Sequence, residues 1–241
     1  MVEQLALWER DAFLAINAAH TPYWDAFMYL ISSRWPWIAV AFGLVIFLFV
    51  KKPLRESILL VLMIALLITV ADQLSSGLIK PYFERLRPSY HPLTADLVQS
   101  VYGYKAWGYG FISGHATNFM ALAMFTALAF RNRWYTVVVF VLALTTAYSR
   151  IYLGVHFITD VVPGACVGLL LGYLVYLLYR WLRVKLYNVH PSESQSRLCA
   201  STIGYLTSFL CVFILFLFAF AGELMGVMKG QAVWGARRAN C

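Results

Sequence analysis

Three short strings hold most of the side chains in this chain that could do chemistry: Lys80-Pro-Tyr-Phe-Glu-Arg-Leu-Arg87-Pro88, Ser113-Gly114-His115 and Ser149-Arg150-x5-His156-x3-Asp160. Between them Lys80, Arg87 and Arg150 supply cations, His115 and His156 imidazoles, Ser113 a hydroxyl and Asp160 a carboxylate. The i,i+4 spacing of His156 and Asp160 puts both on one helix face. A carboxylate that accepts from one ring nitrogen fixes the tautomer and leaves the other nitrogen's lone pair available as nucleophile or base. The guanidinium fork of arginine suits bidentate contact with phosphate oxygens. Ser113 is a good helix cap and Gly114 lets a ligand approach the backbone, so Ser113-Gly114-His115 opens a helix whose N-terminus favours an anion. Each string alone has an ordinary alternative: a structural His–Asp pair, a snorkelling arginine, a capped helix with an interfacial histidine. Taken together, they are the equipment for holding a phosphate dianion and attacking it.

The elements that position these residues are apolar. The 241-residue chain is 61% hydrophobic and 12% charged, with a mean hydropathy of +0.70. A soluble protein of that composition would lack the polar surface to cover itself, so an integral membrane protein is expected. Stretches without charge at 35–50, 57–71, 116–130, 134–149, 161–179 and 203–222 mark the spans. Each can lengthen through interfacial Trp, Tyr, Arg and Lys toward the roughly 20 residues that a crossing needs. The expected fold is all-α, a polytopic membrane helical bundle of about six transmembrane helices. Residues 1–22 are expected to form an interfacial amphipathic segment, with Leu7, Trp8, Phe13 and Ile16 among charges. Residues 23–186 form the catalytic core, and 187–241 an extra transmembrane helix and tail. No cleavable signal peptide is expected, since Glu3, Glu9 and Asp11 occupy the region where one would be basic then apolar.

The net charge of +8 does not point to nucleic acid, because the basic residues lie in short clusters between apolar runs. Lys51-Lys52-Pro-Leu-Arg55, Arg131-Asn-Arg133 and Arg180-Trp-Leu-Arg183-Val-Lys185 alternate with the motif-bearing ends. The positive-inside rule assigns these three loops to the cytoplasm, which gathers all three motifs on the outer side. The same count puts Arg237 and Arg238 outside, against the charge bias. Cys166, Cys199, Cys211 and Cys241 have no metal-ligand spacing and read as packing residues. The aromatics of the 88–110 loop (Tyr90, Tyr102, Tyr104, Trp107, Tyr109) read as interfacial anchors before substrate contacts. Asp72, inside a span, is expected to pair with Arg85; His91 is expected to be a solvated loop residue, and His20 and His190 have no supporting neighbours in the sequence.

In order and spacing the three strings resemble the signature motifs of the type 2 phosphatidic acid phosphatase (PAP2) superfamily, over roughly residues 20–185, with Ile112 where many members have Pro. The resemblance implies a lipid phosphatase in which His156 attacks phosphorus, Asp160 orients it, and His115 protonates the leaving oxygen and later activates water. Lys80, Arg87, Ser113, Gly114 and Arg150 would hold the phosphate. No metal or other cofactor is implied, since cations stand where a divalent ion would and no carboxylate cluster could bind one. The partners expected are the bilayer and a membrane lipid phosphate, with the site on the outer, periplasmic face of a bacterial inner membrane. Lipid A phosphate, undecaprenyl diphosphate, phosphatidylglycerol phosphate and phosphatidic acid are the candidate substrates; Ala71-Asp72-Gln73-x-Ser75-Ser76 resembles lipid A phosphatase-type members. The alternatives are a lipid phosphotransferase or a soluble-substrate, glucose-6-phosphatase-like enzyme with the same site. An anion channel would have no use for a His156–Asp160 pair facing His115.

Overall fold

The computed structural model describes residues 2–187 and 200–239, with side chains from 4 to 187 and 203 to 223. Its regular structure is helical throughout the described residues. Helix α1 spans Val2–Asn17 and α2 Pro22–Ser32, the latter opened by Thr21, whose side chain accepts from the Trp24 amide, and by Pro22 at the first helical position. Next come α3 (Arg34–Lys51) and α4 (Leu54–Asp72). A π-wound stretch, Gln73–Ile79, carries α4 without a break into the short α5 (Lys80–Phe83). A long loop leads to α6 (Gly114–Phe130); α7 (Arg133–Tyr152) starts at Asn132, whose side chain accepts from the Trp134 and Tyr135 amides. Helices α8 (Ile158–Tyr187) and α9 (Ala200–Ala239) follow.

Five stretches are long and apolar enough to cross a membrane: Arg34–Lys51, Leu54–Phe83, Arg133–Tyr152, Ile158–Tyr187 and Ile203–Glu223. With the 17-residue α6 they account for the six expected spans. On α3 the exposed Ile38, Phe42, Ile46 and Val50 recur every four residues, a stripe that only lipid would cover favourably. Exposed Trp35, Tyr82 and Trp107 ring one end of the bundle and Trp134 and Trp181 the other, as interfacial aromatics do. The chain is therefore an integral membrane protein.

Helix α6 lies at the centre of the bundle against α8, α7 and α4. Gly164, Gly168 and Gly172, one per helical turn, form the α8 seam against it. At Gly164 a Cβ would come 2.8 Å from the Ser113 carbonyl oxygen, so the glycines allow backbone-to-backbone approach. This close seam fixes the start of α6, which carries His115, relative to the start of α8, which carries Asp160. The Ser113 amide donates to the Asp160 carbonyl at 2.9 Å and locks the two starts together. The ends of α2, α5 and α7 converge on the same end of the bundle. At the opposite end Glu56 pairs with Lys52 at 3.2 Å and Arg183 at 2.8 Å, and Tyr187 donates to the Arg55 carbonyl.

Helix α1 packs Phe13 and Ile16 against the protein but adds polar residues to that face. Leu7 and Trp8 are exposed, while Ala6, Glu9, Phe13 and Asn17, spaced three to four residues apart, are buried. Asn17 donates to the carbonyls of Tyr152 (2.9 Å) and Gln99 (3.0 Å) and accepts from the Gln99 amide (2.8 Å), tying α7 to the long loop.

Candidate active site

All the residues of the three strings meet at one end of the bundle. His156 lies in the α7–α8 turn and is almost wholly buried. The turn needs Gly154, whose φ is +69° and where a Cβ would strike Val98; its carbonyl accepts from Ser89 at 2.8 Å. The Arg87 guanidinium lies 3.0 Å from His156 Nε2 and can only donate, so Nε2 carries the lone pair and Nδ1 the proton. Nδ1 faces Asp160 Oδ2 at 3.4 Å. That carboxylate is otherwise engaged: Oδ2 accepts from the Phe157 amide at 3.0 Å and Oδ1 from Arg85 at 2.6 Å. It therefore orients the ring while adding little negative field. Burial, followed by the positive fields of Arg87, Arg150 and Lys80, holds His156 well below the ordinary imidazole pKa of 6.5. His156 is a neutral, tautomer-fixed imidazole.

Three cations surround it, and none has a carboxylate partner within ion-pair distance among the described residues. Arg87 donates to the carbonyls of Val155 and Gly108, each at 3.0 Å. Burial, and then Arg150, pushes its pKa down to about 10, which leaves it charged at neutral pH. Arg150 is buried, donates to Ser32 Oγ and, at 3.4 Å, to the Tyr104 hydroxyl, and lies over the Tyr104 ring; its Nε has no hydrogen-bond partner. Lys80 Nζ donates to Ser76 Oγ at 3.3 Å, which donates in turn to Asp72 Oδ1. Arg87 and Arg150 are buried and Lys80 half-buried; buried charge without a counter-ion is costly, and an anion among the three would offset that cost.

The start of α6 completes the site. Ser113 caps the helix through its side chain, which faces the Ala116 amide at 3.5 Å. A Cβ on Gly114 would come 3.6 Å from Lys80 Nζ and 3.4 Å from Ser75 Oγ, ordinary contact distances that place the lysine beside the helix N-terminus. His115 stacks over Phe119, with Arg150, His156 and Lys80 as its electrostatic neighbours. It also lines a cavity of about 310 Å³ with Tyr29, Ser32, Arg34, Trp35 and Tyr104. Among the described residues, no three His, Cys, Asp or Glu side chains converge as a metal site would require.

Several sequence expectations need correction. Asp72 does not pair with Arg85: it is exposed and accepts from Ser76, while Arg85 is fully buried between Asp160 and Glu9. His91 is not solvated but buried edge-on against Phe157, its Nδ1 accepting from the Leu93 amide. His20 has a neighbour after all, Asp25, at 2.7 Å; His190 lies outside the described residues. Tyr104, grouped with the interfacial anchors, faces Arg150. Arg85, Glu9, Tyr104 and Ser32 were missed as site residues. The one available signal was the position of Arg85 inside the first string.

The comparisons agree with this geometry. Residues 58–183 match the PAP2 superfamily, and the chain is 44% identical over 214 residues to the lipid A 4'-phosphatase of Porphyromonas gingivalis, covering 85% of this chain and 90% of that protein. The chain belongs to the PAP2 superfamily. The crystal structure of Aquifex aeolicus LpxE is similar to it with a TM-score of 0.54 and 27% identity, over 68% of this chain and 92% of that one. That of a transmembrane PAP2-type phosphatidylglycerolphosphate phosphatase from Bacillus subtilis gives 0.52 and 26%, over 70% and 85%. As a PAP2 member with these relatives, the chain is a membrane lipid phosphatase.

Proposed function

We propose that this phosphatase removes the phosphate monoester from a lipid A-type glycolipid, through a phosphohistidine, at the periplasmic face of a bacterial inner membrane. The chemistry is carried by one observation: three cations with no carboxylate in ion-pair contact among the described residues surround a neutral imidazole whose Nε2 carries the lone pair. In this reading Lys80, Arg87, Arg150, Ser113 and the Gly114 amide hold the phosphate oxygens and stabilise the charge that shifts onto them in the transition state. His156 Nε2 attacks phosphorus as the bond to the sugar oxygen breaks, and His115 gives that oxygen a proton. Water, deprotonated by His115, then attacks phosphorus, the P–N bond breaks, and inorganic phosphate leaves with His156 neutral again. Asp160 keeps Nε2 aimed throughout.

The choice of lipid rests on the 44% identical relative, named for lipid A. The cavity beside His115 supports it, since a leaving group must lie on the acid's side and here meets Tyr29, Trp35, Tyr104 and Arg34. Aromatic faces suit the C–H face of a pyranose, and Arg34 suits an anion. The outer-face assignment follows from the charge of the opposite loops.

A panel of lipids offered to purified protein in chelator tests the reading. Phosphate release should be fastest from lipid A and insensitive to chelation. Turnover of phosphatidylglycerol phosphate, phosphatidic acid or undecaprenyl diphosphate with lipid A untouched would remove the substrate assignment, and headgroup exchange in place of phosphate release would replace hydrolysis by phosphotransfer.

A further inference from the structure

The residues that hold Asp160 extend well beyond the three strings. Arg85 is fully buried and binds two carboxylates at once, donating to Asp160 Oδ1 at 2.6 Å and to Glu9 Oε1 at 2.8 Å. Its NH1 also reaches Thr159 Oγ1 at 2.7 Å, and the guanidinium lies 4.6 Å from the Phe157 ring centroid. Glu9 accepts in addition from the Thr159 amide at 2.8 Å and from the Thr159 hydroxyl. Phe13, one turn further along α1, meets Phe157 edge-on at 5.2 Å. Glu9 and Phe13 thus grip Thr159 and Phe157, both between His156 and Asp160, from a helix outside the matched region 58–183.

We propose that Glu9 and Arg85 are positioning residues for the reaction, and that α1 is a working part of the active site. Arg85 has a planar fork with two carboxylates fixed to it, so it can hold Asp160 in one orientation, and Asp160 in turn holds His156. Glu9 anchors the fork from the other side. Without it Arg85 would be bound by Asp160 and Thr159 alone and could swing with them. The guanidinium also sets the charge balance: with Arg85 present, Asp160 is neutralised and does not draw a proton onto His156. Loss of Arg85 frees that negative charge, raises the proton affinity of His156 and moves the acid limb of the activity profile to higher pH. A buried ion pair that served folding alone would do neither. This inference rests on the roles proposed above for His156 and Asp160, and is independent of which lipid is used.

The test measures kcat, KM and pH profiles of full-length E9Q, R85K and R85M in detergent, with H156A alongside and thermal unfolding as a check. A loose nucleophile typically loses about 10–100-fold in rate. E9Q and R85M should therefore lose kcat on that scale with KM within about threefold, R85K should recover part of it, and the acid limb of R85M should move up. Should R85M fail to fold, E9Q, which keeps an acceptor at the same place, decides the question. Unchanged kcat and acid limb in folded E9Q and R85K, with H156A inactive, would overturn the positioning role. An active H156A would instead overturn the nucleophile assignment itself.

Discussion

In the proposed site, Arg150 sets function against stability at the level of a single residue. A buried guanidinium with a hydroxyl at each end and no carboxylate is poorly compensated for its lost hydration. Replacing it with methionine removes that penalty while keeping most of the volume. Arg150→Met should therefore unfold at the same temperature as the parent or higher, while kcat/KM falls by about 100-fold or more. Calorimetry and phosphate release on one preparation check both halves, and a lower melting temperature would mean that Arg150 is structural. His156 yields a prediction in pH. Because burial and three cations depress its pKa, it stays neutral as pH drops through 6.5, where the unfolded chain's imidazole takes up a proton. Activity should thus show no acid limb at 6.5 from this group, and stability should fall, not rise, as pH decreases below that value. Residue identities of this kind were readable because arginine, histidine and serine are rare in apolar sequence. Partners were not readable: nothing in the order of residues says that Arg85 bonds to Asp160 and not to Asp72.

At the scale of elements, the site is set by how near α6 lies to α8 and by one left-handed turn. Gly168 faces the α6 backbone at Thr117, and a leucine there has no room. Gly168→Leu should wedge the two helices apart, moving His115 and Asp160 relative to each other, and cost about 1–3 kcal/mol of stability by overpacking. Gly154→Ala forces a Cβ into a left-handed turn already filled by Val98, costing about 1–2 kcal/mol before any clash is counted. Both should lose activity, G154A while still folded, as judged by its elution as a monodisperse peak. The spans were legible because freedom from charge over about 20 residues has few explanations in a chain this apolar. Helix α1 was legible as a helix but its contacts were not, because its buried face carries Glu9 and Asn17, which bind groups that only the fold brings near. For the same reason Tyr104 passed for one more interfacial aromatic.

For the whole molecule, the three basic loops lie at one end of the bundle and the three motif strings at the other. Charge counting along the sequence separated the same two sets, because insertion and chemistry both depend on which residues cannot enter lipid. The proposed orientation predicts that a thiol-reactive, membrane-impermeant probe will label a cysteine placed at exposed Trp107 from the periplasmic side, and one placed at Arg131 only after the membrane is opened. The central claim concerns chemistry, and one measurement addresses it most directly. Purified parent enzyme and the H156A variant are incubated with lipid A in chelator, quenched in alkali, which preserves phosphohistidine, and digested for mass spectrometry. The account predicts dephosphorylated lipid A, free phosphate and a phosphorylated peptide containing His156 from the parent, and none of these from the variant. Dephosphorylation of lipid A by H156A at the parental rate would contradict it.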